Sequence, residues 1–463
     1  MNSLPKGWKF ENLVGLCNKD KKSIRRGPFG GSLKKEIFVN SGYKIYEQKH
    51  AIENNFTIGH YYITKEKYEE MKSFSVKPGD IIISCSGTIG KIAIIPPNAE
   101  EGIINQALLK LSLDKNKVLT KYFIYLFESD LIQKKLTKIS RGVAIKNVPS
   151  VKDLKLIAFP IPPTIEEQQK IVDEIETQFT RLDASVKDLK NIGFKLEIYI
   201  NSLIQSALQG KLIQCANSEE STNELFNRIK REKNKLIFEK KIRKEKEFSK
   251  IDLKEIPFET SEKWMWVRLG EIVSILGDGL HGTPKYSDRG DYAFINGNNL
   301  DDGKIIIKEN TKLVSKEEYL KYKKDLNENT ILVSINGTLG NVALYSDEKV
   351  VLGKSACYFN TLNGINKEYI KLLIQSKYFL NYAYKNATGS TIKNVSLRSM
   401  RLLILPLPPT TEQNTIVEKM ETFFSIIDKV KEAVNSSLLK AEQLRKSILK
   451  SAFEGKLVKY NAS

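Results

Sequence analysis

Two stretches of this chain alternate apolar and polar positions at intervals of three and four over unusual lengths. In the first, Ile175, Phe179, Leu182, Val186, Leu189, Leu196, Ile200, Leu203 and Ala207 fall on one seam, with Gly193 as its one gap. That is the pattern of a heptad helix. From Phe159 to Leu212, roughly 48 helical residues at about 1.5 Å each predict a rod on the order of 70 Å. A rod of that length cannot be buried inside one globular core, so its seam requires a partner helix. The second stretch keeps Ile416, Met420, Phe424, Ile427, Val434, Leu438 and Ile448 in register but places Lys431 and Arg445 on the seam. Two cations on an apolar stripe predict the weaker seam of the two.

Both runs start and stop alike. Pro160-Ile161-Pro162-Pro163 and Pro406-Leu407-Pro408-Pro409 precede them, and Gly210-Lys211-Leu212 and Gly455-Lys456-Leu457 follow. Thr164 with Glu167, and Thr410 with Gln413, give the spacing of a capping box directly after the prolines. The repetition extends upstream. Trp8-Lys9-Phe10 with Leu13 returns as Trp264-Met265-Trp266 with Leu269. Ile81-Ile82-Ile83-Ser84 before Gly87-Thr88-Ile89-Gly90 returns as Ile331-Leu332-Val333-Ser334 before Gly337-Thr338-Leu339-Gly340. Gly142 with Ile145-Lys146-Asn147-Val148 returns as Gly389 with Ile392-Lys393-Asn394-Val395. A spacing near 250 residues is far beyond any solenoid period and means a duplicated domain plus helix.

The segments before the rods, 1–158 and 263–404, mix short β-type runs with a helix or two, as compact α+β domains do. Ile81 to Ser84, Ile92 to Ile95 and Leu108 to Leu113 read as strands, and Lys121 to Gln133 as a helix. The rods occupy 159–213 and 405–463. Between the units, 214–262 is highly charged, yet Leu225, Ile229, Leu236 and Ile237 keep a rough helical spacing. This predicts a solvated helix followed by an extended linker through Pro257, with direct nucleic-acid contact as the alternative.

Lys plus Arg exceed Asp plus Glu by 74 to 55, for a net charge of +19, which points to a polyanionic partner. Nucleic acid comes first, because no apolar run reaches the roughly 18 residues of a membrane span and the N-terminus lacks an apolar signal core. A cytoplasmic protein is expected. Cys17, Cys85, Cys215 and Cys357 are scattered without a Cys-x-x-Cys pair, which argues against a disulfide framework and a zinc site.

Candidate chemistry is sparse. Gly87-Thr88-Ile89-Gly90-Lys91 lacks the spacing of a phosphate loop and is followed by a β-run, so it reads as a strand-to-strand turn. Two glycine-rich loops differ between copies where the framework agrees: Arg25 to Lys35, and Gly277 to Lys285. Glycines allow close backbone approach to a duplex, Arg and Lys can fork onto guanine or hold phosphates, and Asp, His, Thr and Asn can read other base edges. The alternative is a surface turn with charged decoration. His281 has no evident carboxylate or cysteine companion at ligand spacing, and metal ligands are expected nowhere. No nucleophile elbow, zinc-protease motif, dinucleotide fingerprint or adenine-methyltransferase signature is present.

The Trp-x-aromatic opening, the Ser-x-x-Gly-Thr-x-Gly turn, the Gly…Lys-Asn-Val segment and the Pro-x-Pro-Pro…Glu-Gln helix, each present twice, resemble the specificity subunit of a type I restriction-modification system. The resemblance covers essentially the whole chain; Pro160 to Gln168, repeated as Pro406 to Gln413, is its most specific mark, and Asp278 to Pro284 also resembles a form common in such subunits. It implies an α+β fold of two duplicated target-recognition domains, 1–158 and 263–404. Each is followed by a long helix, and the two helices pair as an antiparallel coiled coil that holds the domains apart.

The resemblance further implies a non-catalytic, sequence-specific subunit that reads a bipartite site in double-stranded DNA. Its partners would be two methyltransferase subunits and, in the full complex, two restriction/translocase subunits. S-adenosylmethionine, ATP and magnesium would belong to those partners, with no cofactor in this chain. The residues expected to contact DNA are Arg25, Arg26, Lys34, Lys35, Lys146 and Asn147 in the first domain, and Asp278, His281, Thr283, Lys285, Asn298, Lys393 and Asn394 in the second. A stand-alone nuclease or methyltransferase, and a partner-free regulator, are the rival readings.

Overall fold

The computed structural model describes residues 4–140, 151–155, 157–213 and 220–458. The chain divides into two compact units, the first comprising 1–190 and 434–463 and the second 191–433. The division falls inside both long helices, Ile165–Leu208 and Thr410–Phe453, each of 44 residues.

In the first unit, strands Ile24–Arg26, Leu108–Leu111, Ile81–Ser84 and Ile92–Ile94 form an antiparallel sheet in that order. A second sheet runs Tyr62–Ile63, Tyr43–Tyr46, Gly102–Ile104, Ser75–Val76, its middle pair parallel. Ile81–Ser84 is buried on both faces, which explains its unbroken β-branched run. A short ribbon pairs Phe10 with Pro160 and closes the unit. The second unit repeats this plan. Val273–Asp278, Ala356–Thr361, Thr330–Ser334 and Val342–Leu344 form the antiparallel sheet, and Trp266 faces Pro406 in the ribbon.

Each unit's core takes in one end of each long helix. Ile171, Val172, Ile175 and Phe179 join Ile448, Leu449, Ala452 and Phe453 in the first; Leu203, Ile204, Ala207 and Leu208 join Ile416, Val417 and Met420 in the second. Each large apolar side chain removed from water contributes about 1.5–3 kcal/mol before the entropy of ordering, enough to anchor a helix end firmly. The helices run antiparallel. Within the second unit Lys431 reaches Glu197 at 3.8 Å while Lys419, nearer the start of its helix, reaches the carbonyl of Leu212 at 2.9 Å, just beyond the end of the other.

Three expectations are corrected. The helix expected over 121–133 is two, Thr120–Glu128 and Asp130–Ser140, because Ser129 adopts an extended backbone and turns its hydroxyl onto the carbonyl of Leu126. The second capping box does not form. Thr410 is already helical and donates to the carbonyl of Gly364, and Gln413 is the counterpart of Gln168 rather than of Glu167. In the first copy Thr164 does accept the N–H of Glu167, at 3.2 Å.

The helix in the charged stretch, Thr222–Phe238, is docked rather than solvated. Leu225 and Ile229 are fully buried in the second unit, because Thr222, Leu225, Phe226 and Ile229 form a three-four stripe that its many charges mask. The extended segment after it is held to the same unit by Arg401 to Glu245 at 2.7 Å and Arg268 to Glu255 at 3.1 Å. The two seam cations each find a partner within their own unit, Lys431 in Glu197 and Arg445 in Asp183. Arg445 pairs with Asp183 at 2.7 Å and lies 3.9 Å over the ring of Phe179.

Candidate nucleic-acid interface

The glycine turns after Ser84 and Ser334 are built identically. Gly87, Gly90, Gly337 and Gly340 all have positive φ, and each serine hydroxyl donates to the carbonyl of the threonine four residues on. A strand-to-strand turn results, so backbone and side chains at 85–91 and 335–341 are presented at one end of each antiparallel sheet.

In the second unit this turn collects polar groups from four other segments. Asn336 donates to the side-chain oxygen of Asn394 at 3.1 Å, and the N–H of Gly337 donates to the carbonyl of Lys393 at 2.9 Å. Asn341 reaches the carbonyl of Gly297 at 3.4 Å. The N–H of Gly297 donates to the Ser355 hydroxyl at 2.8 Å, and that hydroxyl donates to Asn296 at 3.0 Å. Leu280 bridges to Gly353, which brings the Asp278–Lys285 loop beside this network. Gly279 is required there, since a Cβ would stand 2.2 Å from the carbonyl oxygen of Leu352.

His281 is exposed and its Nε2 stands 2.7 Å from Asp278, so the missing companion lies three residues upstream. The structure therefore gathers Asp278, His281, Asn298, Lys393 and Asn394, with Asn298 exposed and its carbonyl accepting Lys308 at 2.7 Å. Thr283 is exposed in the same loop without a hydrogen bond that ties it to the network, and Lys285 is exposed while its N–H donates to Glu318 on the helix Lys316–Tyr322. Asn296, Asn336, Asn341 and Ser355 were not anticipated. The run Asn296-Gly297-Asn298-Asn299 and the replacement of Lys91 by Asn341 are the only hints the sequence offers. Amides with a donor and an acceptor side by side match adenine's major-groove edge.

The first unit offers cations instead. Arg25 and Arg26 alternate across strand Ile24–Arg26, so they do not act as a pair. Arg25 reaches Ser73 at 3.4 Å and stacks on Phe74 with its guanidinium 4.7 Å from the ring, and Arg26 approaches the carbonyl of Gln106 at 3.5 Å. Lys34 and Lys35 are exposed at the short 3-10 turn Lys35–Ile37. Lys146 and Asn147 lie outside the described residues.

Among the described residues no group of three or more His, Cys, Asp or Glu is placed to hold a metal ion, and no helix is long and apolar enough to cross a membrane. Cys17, Cys85 and Cys357 are free and buried, and burial raises all three thiol pKa values.

Comparison with known proteins bears on both units. The model of the type I restriction modification DNA specificity domain matches residues 5–192 and 261–438. The EcoAI specificity subunit of Escherichia coli is 27% identical over 283 residues, covering 59% of this chain but only 45% of that subunit. The EcoBI specificity subunit of E. coli is 21% identical over 391 residues, 83% of this chain and 75% of its own. The HsdS subunit of Thermoanaerobacter tengcongensis has the same fold, with a TM-score of 0.53 at 16% identity over 98% of both chains. A chain solved in work on complex assembly and conformational transition of the type I R-M system gives 0.66, also at 16%, over 98% of this chain and 100% of that one. With matching domains in both halves and one fold along its whole length, the chain belongs to the family of type I restriction-modification DNA specificity subunits, which are recognition chains and not catalytic ones.

Proposed function

We propose that each unit reads one half of a bipartite site in double-stranded DNA, and that the chain thereby directs methyltransferase and restriction subunits to that site. The observation that carries this is the different polar chemistry mounted on one shared framework. Asparagines, Asp278 and His281 stand where the second unit's sheet end and loops meet, and Arg26 holds the matching position in the first. A duplicated scaffold with divergent loops is what two distinct half-sites require. The net charge of +19 supplies sequence-blind phosphate affinity, and the loops supply discrimination.

The chain works, in this reading, in the cytoplasm, with two methyltransferase and two restriction/translocase subunits that carry S-adenosylmethionine, ATP and magnesium. The test is co-expression with the methyltransferase encoded beside it, measurement of the complex mass, and mapping of methylated adenines on genomic DNA. One copy bound to two methyltransferases and a split methylated motif is the expected result. A chain that ignores the methyltransferase yet binds a single DNA site alone would overturn the proposal in favour of a regulator.

A further inference from the structure

Matched strands place one exposed side chain at the same point of both units. Arg26 and Asp278 share a register position, and each is followed by a glycine whose Cβ would strike backbone, the carbonyl oxygen of Asn105 at Gly27 and that of Leu352 at Gly279. Two residues beyond those glycines stand Phe29 in the first unit and His281 in the second. His281 is exposed and polar. Phe29 is 94% exposed, the most exposed large apolar residue among the described residues.

The loop that carries Phe29 is tied down on both sides of it. The N–H of Gly27 donates to the carbonyl of Leu108 at 2.9 Å, and Pro28 is buried, its ring fixing φ. The N–H of Ser32 donates to the carbonyl of Phe29 at 2.9 Å, which closes the short 3-10 turn Gly30–Ser32. A fixed backbone thus holds a phenyl ring in water, where its apolar area is left to be covered from outside the chain.

We propose that Phe29 is a base-reading residue of the first unit and that it recognises thymine through the C5-methyl group in the major groove. The inference rests on the proposed DNA function and names one element of its specificity. The position differs between two copies of one framework, as a residue that distinguishes two half-sites must. A contact to sugar or phosphate carries no sequence information and gives no reason for that difference. The ring has no hydrogen-bond donor or acceptor for the polar groups of a base edge. The thymine methyl is the apolar feature that a major-groove edge presents, and phenylalanine packs against it. Arg26, three residues earlier, brings a guanidinium suited to guanine, so the same loop carries chemistry for both kinds of base pair.

The test uses the full-length chain in complex with the methyltransferase, and duplexes carrying the mapped methylation motif. Each thymine is replaced in turn by deoxyuridine, which removes the methyl and keeps every hydrogen-bonding group. In the wild type, one such replacement in one half-site should weaken binding about fourfold, the worth of a single buried methyl group. In Phe29→Ala the same replacement should change nothing, and the variant should bind the unmodified duplex at least about fourfold more weakly. Its melting midpoint should match the wild type's, because the ring lies outside the core. Replacements in the other half-site should act alike on both proteins. Uracil effects that are absent, or equal in the two proteins at every position, would overturn the proposal. So would 2-aminopurine fluorescence in the half-site that rises on binding of the wild type and not of Phe29→Ala, since the ring would then be a wedge between base pairs. An equal loss of affinity for the motif and for unrelated duplexes would make Phe29 a backbone contact and sink the idea as well. A wild-type complex that binds the motif no better than unrelated DNA would instead remove the proposed DNA function, and this inference with it.

Discussion

Arg26 and Asp278 hold the same register position in the two units, Arg26 opposite Leu109 and Asp278 opposite Cys357, each directly before a glycine that packs against backbone. A cation in one copy and an anion in the other, on matched strands, cannot favour the same base edge. Guanine offers two acceptors to a guanidinium, whereas a carboxylate accepts from cytosine's amino group. Arg26→Gln should therefore relax preference at one base pair of one half-site by about 1–3 kcal/mol, and Asp278→Asn should do so in the other half-site only. Binding to duplexes with single substitutions in each half-site checks this. A uniform loss across all sequences, with a shallower salt dependence, would make Arg26 a phosphate contact instead.

Arg445, one of the two cations on the second seam, is used as an aromatic cap. Its guanidinium covers Phe179 at 3.9 Å while reaching Asp183 at 2.7 Å. Both partners of the ion pair are about half exposed or more, so the pair itself is worth little, and the stacking supplies most of the effect. Arg445→Ala is expected to cost about 1 kcal/mol, with a coupling to Phe179→Leu of about 0.5–1 kcal/mol in a double-mutant cycle. Asp183→Ala should cost less. Urea midpoints of the wild type, the three single variants and the Arg445→Ala, Phe179→Leu double variant measure all three quantities, and a coupling near zero would mean that the contact is incidental.

Gln168 and Gln413 perform one task in both units. Each buried side-chain oxygen accepts a backbone N–H at 2.8 Å, from Leu119 and from Asn366, at the start of the helices Thr120–Glu128 and Lys367–Gln375. Each amide donates back to carbonyls, of Lys117 in one unit and of Gly364 and Pro408 in the other. Replacing either by leucine strands these buried groups and should destabilise its unit by about 2–4 kcal/mol. Glutamate is no remedy, since it keeps the acceptor and loses the donors. Two-step thermal unfolding that loses only the affected step is the expected readout; an unchanged midpoint would show that water replaces the amide.

The period of the heptads and the repeated motifs made the duplicated α+β plan and its paired helices legible from sequence. What stayed hidden shares one cause, the meeting of residues distant in the chain. Asn336 meets Asn394, and Asn341 meets Gly297, only because the hairpin turn folds beside segments that are distant in the chain. The docked face of Thr222–Phe238 was masked because three apolar positions, Leu225, Phe226 and Ile229, carry little weight amid a run of lysines and glutamates. The second capping box failed by one residue, since the first copy carries an extra position before its glutamate-glutamine pair, and Gln413 consequently serves as Gln168 does.

The buried cysteines carry a pH signature. Cys17 and Cys85 thiols are pushed up to about 12 from 9.0, chiefly by burial, with nearby Lys117 and Arg26 respectively opposing the shift. Cys357 moves further in the same direction for the same reason. Below pH 9.0 the thiols are protonated in both folded and unfolded chains and add no pH dependence. Above it the unfolded chain releases protons that the folded one retains, so stability falls as pH rises from 9.0 towards about 12. The urea midpoint should drop over that range, and less steeply in a Cys17→Ala, Cys85→Ala variant. With Cys215→Ser in the background, an aromatic disulfide reagent at about pH 8 should modify none of the three in the native chain and all of them in guanidinium, because the thiolate is the reactive form. Fast native modification at Cys85 would mean that strand Ile81–Ser84 opens far more readily than its burial on both faces implies.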